Sequence, residues 1–128
     1  MSSKKIIQTS NAPAPIGPYN QAVLSGNTLY ISGQIPMDPV TGALVEGDIK
    51  KETRQSMENL KAILVAAEMD FTQVVKASIF VKDMHQFSAI NEVYGSYFDA
   101  AVAPARETVE VANLPKFVNV EISMIAIK

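Results

Sequence analysis

Residues 118–127 read VNVEISMIAI, and this stretch decides the fold. Successive side chains of a strand point to opposite faces of its sheet. One face then carries only apolar side chains, those of Val118, Val120, Ile122, Met124 and Ala126. The other is half polar and half apolar, with Asn119, Glu121, Ser123, Ile125 and Ile127. The pattern predicts a strand that packs one face under helices, while its second face is too apolar for open solvent and meets other subunits.

Two helical patterns precede this strand and supply that cover. From Asp48 to Ala67, apolar residues recur at steps of three and four, which predicts an amphipathic helix with Asp48 as its N-cap. Helical spacing returns over residues 84–101. Its inward face is predicted to carry Phe87, Ile90, Tyr94, Tyr97 and Phe98, and the stripe of Tyr94, Tyr97 and Phe98 is interpreted as core.

The remaining patterns predict strands. Extended runs cover Lys5–Thr9, Tyr19–Leu24 and Thr28–Gln34, and the turn at residues 25–27 joins the last two into a hairpin. Val74–Lys82 reads as a buried strand, and RETVEVA, residues 106–112, as a penultimate one. The order β-β-β-α-β-α-β-β, with five or six strands and helices enough for one face, predicts an α+β sandwich.

Composition excludes several classes of protein. A chain of 128 residues fits one domain, residues 1–128, and a net charge of −2 without a basic stripe argues against a nucleic-acid partner. Without cysteine there is no disulfide framework and no thiol nucleophile. The N-terminus lacks a signal-peptide core and no apolar run spans a bilayer, so we expect a cytoplasmic protein with no membrane partner. The single histidine, His85, is expected to be solvated.

Arg106, one of two arginines, starts the penultimate strand. Its planar guanidinium can grip a carboxylate with two parallel hydrogen bonds. If the valines at 109 and 111 face the helices, alternation puts Arg106, Thr108 and Glu110 on the same face as Glu121. Were the two strands neighbours, a carboxylate anchor and a general base would share one site. The residues alone leave open an interfacial Arg–Glu ion pair, or a surface salt bridge to Glu107 or Glu110.

Weaker candidates come from other elements. Asn91 is a polar residue beside the inward-facing Ile90 and either caps its helix or reaches a pocket. Gly33, after Ser32, lets a ligand approach backbone donors at the end of a strand. Tyr19 is expected to start the first hairpin strand, where its phenol could close over a ligand.

Four separated stretches, APAPIGPYNQAV, LYISGQIP, INEVYGSYF and PARETVEVANLPKFVNVEIS, together resemble the RidA-like reactive intermediate deaminase family, also called the YjgF family. The resemblance runs in order through nearly the whole chain. It implies a chorismate-mutase-like α+β sandwich with a mixed sheet and two helices on one face. It also implies a homotrimer whose sheets line a central barrel, with three sites in the clefts between subunits.

The resemblance implies hydrolytic deamination of small enamines and imines without a cofactor. The substrates would be 2-aminoacrylate and 2-aminocrotonate with their tautomers 2-iminopropanoate and 2-iminobutanoate, and the products 2-oxo acids and ammonia. Arg106 falls on the arginine that binds the substrate carboxylate, and Glu121 on the glutamate that positions and activates water. The pocket residues it implies are Tyr19, Ser32, Gly33 and Asn91.

The chain also departs from the family pattern. Thr108 replaces a common cysteine and can still offer a hydroxyl to the pocket, Asn20 replaces a serine and Ser123 a glutamate. Glu107 adds an acid beside Arg106 but should point to the opposite face. Two other activities remain open: a regulatory trimer that binds small carboxylates without turnover, and RNA cleavage with translation inhibition, against which the acidic balance argues.

Overall fold

The computed structural model describes residues 4–128, in which six strands form a single sheet. The strands are β1 (Lys4–Ile7), β2 (Ala22–Ser25), β3 (Thr28–Gln34), β4 (Val74–Val81), β5 (Ala105–Glu110) and β6 (Val120–Ile127). Their order across the sheet is β1-β2-β3-β6-β4-β5. Only β4 and β5 run parallel, and the other neighbouring pairs are antiparallel. The predicted mixed α+β architecture is confirmed.

The helices are α1 (Ile49–Ala66) and α2 (Phe87–Gly95). Asp48 caps α1 as predicted, since its carboxylate accepts hydrogen bonds from the backbone N–H groups of Lys50 and Lys51. The second helix is shorter than predicted, because α2 ends at Gly95 and short 3-10 turns lie before and after it. Glycine is a poor helix former, and Asp99 caps a separate turn rather than continuing α2.

The apolar face of β6 lies in the core, as its alternation predicts. Val120, Ile122, Met124 and Ala126 are at most 2% exposed, and α1 packs over β3 and β6 with its own apolar face. Removal of this apolar surface from water is the main force that holds the helices on the sheet.

Neither α1 nor α2 covers the other face of the sheet, here called the helix-free face, and large apolar side chains on it remain in contact with solvent. These side chains are 40–51% exposed and belong to Ile6, Tyr30, Val109 and Ile127. The strand registers place them on the same side as Glu121. No helix within residues 4–128 is long and apolar enough to cross a membrane.

Two strands near the N-terminus differ from their predicted bounds. β1 ends at Ile7 rather than Thr9, and β2 begins at Ala22 rather than Tyr19. The buried side chain of Gln21 accounts for both differences. Its amide oxygen accepts from the backbone N–H of Thr9 at 2.7 Å and its amide nitrogen donates to the Thr9 carbonyl at 3.0 Å. A side chain therefore satisfies backbone groups that a longer ladder would otherwise pair.

Candidate functional site

A cleft of about 350 Å³ opens where β3 and β6 lie side by side. Four of the predicted site residues are near it: Tyr19, Ser32, Gly33 and Glu121. Its remaining walls are apolar and come from Ile16, Ile35 and Pro115. An apolar cavity with a few polar groups directed into it is the usual form of a small-molecule site.

Glu121 lies directly against Gly33 in this cleft. The register between β3 and β6 is interrupted between Ile31 and Gln34, so Ser32 and Gly33 occupy a bulge. A Cβ atom at Gly33 would come within 2.6 Å of the Glu121 Cδ and 2.9 Å of its Cγ. Only glycine leaves room for the carboxylate in this position.

Burial raises the pKa of Glu121 above its usual range. The side chain is only half-buried, and no ion pair within residues 4–128 involves it. A carboxyl group whose pKa is moved upward can exchange protons closer to neutral pH, which suits a general base that must also return its proton.

Ser32 and Tyr19 both form hydrogen bonds with the backbone of the loop that precedes β2, at the edge of the cleft. The Ser32 hydroxyl donates to the Asn20 carbonyl at 2.6 Å. The Tyr19 phenolic oxygen accepts from the backbone N–H of Ile16 at 3.3 Å, so its own proton is left for another acceptor. Tyr19 thus lies in a loop and not on a strand, and it lines the cleft.

Arg106 lies on the opposite face of the sheet from Glu121, so the prediction that both share one face was wrong. Arg106 pairs with Ala77 of β4, which is fully buried under the helices, whereas Glu121 pairs with Phe80 of the same strand. Ala77 and Phe80 are three residues apart, so their side chains point to opposite faces of the sheet. β4 also separates β5 from β6, so these strands are not neighbours. The prediction assumed that the valines of β5 face the core, yet β5 is an edge strand and Val109 is 42% exposed on the helix-free side.

The Arg106 guanidinium is held by three side chains of α2. Its Nη1 donates to Asn91 Oδ1 at 2.8 Å, and its Cζ lies 5.0 Å from the ring centroid of Tyr94 and 5.6 Å from that of Phe87. Both ring contacts are within the range of a cation–π interaction. The Asn91 side chain therefore contacts the Arg106 guanidinium.

The surface salt bridge considered for Arg106 does not form within residues 4–128. Glu107 points to the other face, as predicted, where it binds Ser78 and forms an ion pair with Lys76 at 2.9 Å. Glu110 accepts a hydrogen bond from the backbone N–H of Met84. Glu107 and Glu110 are thus engaged elsewhere, and Arg106 forms no ion pair with any carboxylate of residues 4–128.

Two buried hydroxyl groups near Arg106 lack a hydrogen-bond partner in the described chain. They belong to Thr108, two positions along β5 on the same face, and to Tyr94. Buried hydroxyls are normally bonded to protein or water, so the surroundings of Arg106 hold unused hydrogen-bonding capacity.

The predicted site residues of one chain thus lie in two separate groups instead of one. The first, here called the cleft site, consists of Tyr19, Ser32, Gly33 and Glu121. The second, here called the arginine site, consists of Asn91, Arg106 and Thr108. The sheet separates the two groups, so Arg106 and Glu121 of one chain do not meet.

Phe87 and Tyr94 are contacts of Arg106 that sequence reasoning assigned to the core. With Asn91, they occupy positions i, i+4 and i+7 of one helix, a spacing that places side chains on one face. That spacing could have revealed them, had Asn91 been interpreted together with its aromatic neighbours.

Other candidate chemistry is weaker. The side chain of His85 is 97% exposed and contacts Asp83, in agreement with the predicted solvated position. Across residues 4–128, His, Cys, Asp and Glu side chains do not gather in groups of three or more that could hold a metal ion.

Comparison with known proteins gives a consistent set of relatives. The family described as Endoribonuclease L-PSP matches residues 9–128. A RutC family protein of Pyrococcus horikoshii is 54% identical over 125 residues, which is 98% of each chain. The 2-iminobutanoate/2-iminopropanoate deaminase of Bos taurus is 50% identical over 125 residues, which is 98% of this chain and 90% of its own. The crystal structure of E. coli TdcF with bound serine has a TM-score of 0.91 at 45% identity, and the match covers 97% of this chain and 99% of TdcF.

Proposed function

The chain belongs to the Endoribonuclease L-PSP family, which includes the YjgF/RidA proteins, and we propose that it hydrolyses small reactive enamines and imines to 2-oxo acids and ammonia. The substrates are 2-aminoacrylate and 2-aminocrotonate with their tautomers 2-iminopropanoate and 2-iminobutanoate. No cofactor takes part, and the whole chain, residues 1–128, acts as one RidA-like domain. The name of the Bos taurus relative and the serine bound to TdcF support a site for small amino-acid-derived carboxylates.

The observation that carries this proposal is the pairing of two complementary partial sites. The arginine site offers a guanidinium that α2 holds in place and that makes no ion pair within the described part of the chain. The cleft site offers a half-buried carboxylate with a raised pKa. A substrate with both a carboxylate and a C=N bond needs a cation that binds the carboxylate and a group that transfers protons at the C=N bond.

Because one chain cannot bring the two together, we further propose that they meet between subunits. The assembly is a homotrimer of chorismate-mutase-like chains whose sheets line a central barrel, with three sites at the subunit boundaries. The exposed apolar side chains of the helix-free face support burial of this face against other copies. Each complete site then takes the arginine site of one chain and the cleft site of its neighbour.

In the proposed mechanism, Arg106 binds the substrate carboxylate and Glu121 transfers protons. Glu121 takes a proton from water as the water oxygen bonds to C2 of the imine, and passes it to the imine nitrogen. The resulting 2-amino-2-hydroxy acid then loses ammonia: Glu121 takes the hydroxyl proton and delivers it to nitrogen as the C2–N bond breaks. The net change is one imine and one water converted to one 2-oxo acid and one ammonia.

The test generates 2-aminocrotonate from threonine with a purified dehydratase and traps the imine with semicarbazide. The protein should divert flux from the trapped imine to 2-oxobutanoate. Arg106→Ala should lose this diversion at low substrate, because one charged hydrogen-bonded anchor is worth roughly 1.5–3 kcal/mol. Arg54→Ala, which removes the exposed arginine of α1, is the matched control and should behave as wild type.

Two results would count against the proposal. Full diversion by folded Arg106→Ala would remove Arg106 from the site. If folded wild type gives no diversion, this favours the alternative of a carboxylate-binding trimer without turnover. Glu121→Gln distinguishes an enzyme from a trimer that only binds carboxylates. In an enzyme, this variant should still bind 2-oxobutanoate but stop turning over imine.

RNA cleavage is not proposed, because a chain with a net charge of −2 and no basic stripe lacks the positive charge that phosphate binding needs.

A further inference from the structure

Arg106 is in contact with a whole face of α2. Phe87, Asn91 and Tyr94 follow one another at four and three residues along the helix, and each contacts the same guanidinium. Two aromatic faces and one amide oxygen therefore fix the orientation of one side chain. Ordinary core packing requires none of these three contacts with a charged group.

The contacts leave most of the guanidinium free. A guanidinium has five N–H donors, and within the described chain only Nη1 of Arg106 has a hydrogen-bond partner. The rings contact its π face and use none of these donors. The remaining N–H groups therefore stay available for a carboxylate, while the plane that carries them is held by α2.

Tyr94 contacts Arg106 as a neutral ring. Burial raises the pKa of the Tyr94 phenol, and the nearby Arg106 charge only partly opposes that shift, so the phenol keeps its proton at neutral pH. Its hydroxyl is buried and has no hydrogen-bond partner in residues 4–128. The ring, and not the hydroxyl, is the part of Tyr94 that touches Arg106.

We propose that Phe87 and Tyr94 are positioning residues that hold the Arg106 guanidinium ready to bind the carboxylate of the substrate. This inference rests on the proposed function for the identity of the substrate. A free arginine side chain loses rotamer freedom when it binds an anion, whereas a stacked arginine has already lost it on folding. Loss of a ring should therefore weaken carboxylate binding more than it slows the chemical step.

The experiment compares Tyr94→Leu, Tyr94→Phe and Phe87→Leu with wild type. Tyr97→Leu is the matched control, because Tyr97 belongs to the same aromatic stripe but its ring packs on Phe71 instead of Arg106. Calorimetric titration with 2-oxobutanoate measures the affinity for the carboxylate, and imine turnover measures KM and kcat separately. Thermal unfolding and size-exclusion chromatography establish that each variant is folded.

For Tyr94→Leu we expect roughly 3- to 25-fold weaker binding of 2-oxobutanoate, the range of a partly desolvated cation–π contact, with a similar rise in KM. The value of kcat should change less than KM. Tyr94→Phe keeps the ring and should stay within about twofold of wild type. Tyr97→Leu should keep wild-type affinity. Phe87→Leu should also bind 2-oxobutanoate more weakly than wild type, although the Phe87 ring lies slightly farther from the Arg106 Cζ than the Tyr94 ring does.

Three outcomes would overturn the inference. Wild-type affinity in folded Tyr94→Leu and Phe87→Leu would show that the rings do not position Arg106. Equal loss in Tyr94→Phe and Tyr94→Leu would assign the effect to the hydroxyl. Loss in Tyr97→Leu as large as in Tyr94→Leu would make it a general packing effect. If wild type binds 2-oxobutanoate but turns over no imine, the proposed function fails while the affinity series still tests the positioning role.

Discussion

Glu121 is the residue whose environment has the clearest chemical consequence. Its carboxyl group lies half-buried against Gly33, and burial raises its pKa above the ordinary value of 4.5. Between that value and the raised one, the folded chain binds more protons at this group than the unfolded chain does. The contribution of Glu121 to stability therefore falls as the pH rises through this window.

We predict that Glu121→Gln stabilises the protein at neutral pH, because the amide removes a charge that burial penalises. The gain should disappear as the pH falls below the ordinary carboxyl pKa, where glutamic acid is also neutral. Thermal unfolding of the two proteins from about pH 4 to about pH 8 measures the difference.

The comparison is best made with Arg106→Ala in both proteins, because in the proposed assembly the guanidinium of a neighbouring subunit would offset the effect of burial on Glu121. In that background, a wild-type Glu121 that becomes relatively more stable as the pH rises would contradict the prediction. It would show that another cation pairs with the carboxylate.

Among the elements, the bulge in β3 controls where Glu121 can lie. Gly33 has no positive φ, so an alanine there meets no backbone strain, but its Cβ would displace the Glu121 side chain. We expect Gly33→Ala to lower kcat by up to roughly 100-fold, the cost of a displacement of about 1 Å in a reacting group. Its free energy of unfolding should stay within roughly 1 kcal/mol of wild type, because the contact is with a flexible side chain.

The control for this change is Gly95→Ala at the end of α2, where no atom lies within 4 Å of the added Cβ. It should keep wild-type turnover. Wild-type kcat in Gly33→Ala would argue that the chemistry does not depend on Glu121 occupying this position.

At the scale of the whole molecule, the sheet keeps the arginine site and the cleft site of one chain apart. Arg106 and Glu121 belong to opposite faces and to strands separated by β4. The proposed complete site therefore combines two copies of the chain, and the exposed apolar side chains of the helix-free face support their contact.

Subunit mixing tests this arrangement directly. Arg106→Ala and Glu121→Gln should each be inactive alone. In the proposed assembly, however, a mixed trimer contains one boundary where an intact Arg106 meets an intact Glu121. With equal and random mixing, three quarters of the trimers contain both variants. Each of these mixed trimers has one intact site out of three, so about one quarter of all sites should be restored. Coexpression with two different tags, followed by the imine-diversion assay, measures the recovery.

Recovery near one quarter of wild-type activity is the expected result. Purified mixed trimers without activity would mean that both residues must come from the same chain. A monomeric protein with wild-type turnover would contradict the whole arrangement.

Much of the fold follows from local patterns in the sequence. The alternation of β6 and the three- and four-residue steps of α1 predict which side chains are buried, because both periods are properties of the backbone itself. The cap at Asp48 and the exposed His85 are equally local. The bounds of β1 and β2 were missed because the side chain of Gln21 binds backbone groups of Thr9, twelve residues away.

The sequence by itself determined the order of the elements, the buried faces of α1 and β6 and the residue types of the candidate site, because each depends on neighbours along the chain. Only the tertiary structure decided the strand order and the face to which Arg106 points. Pairing beside β4 makes β5 an edge strand, where valine is exposed and arginine lies under α2. The alternation of side chains along a strand predicts only that Arg106 and Val109 lie on opposite sides of β5. Which side is covered depends on long-range packing, which no local pattern records.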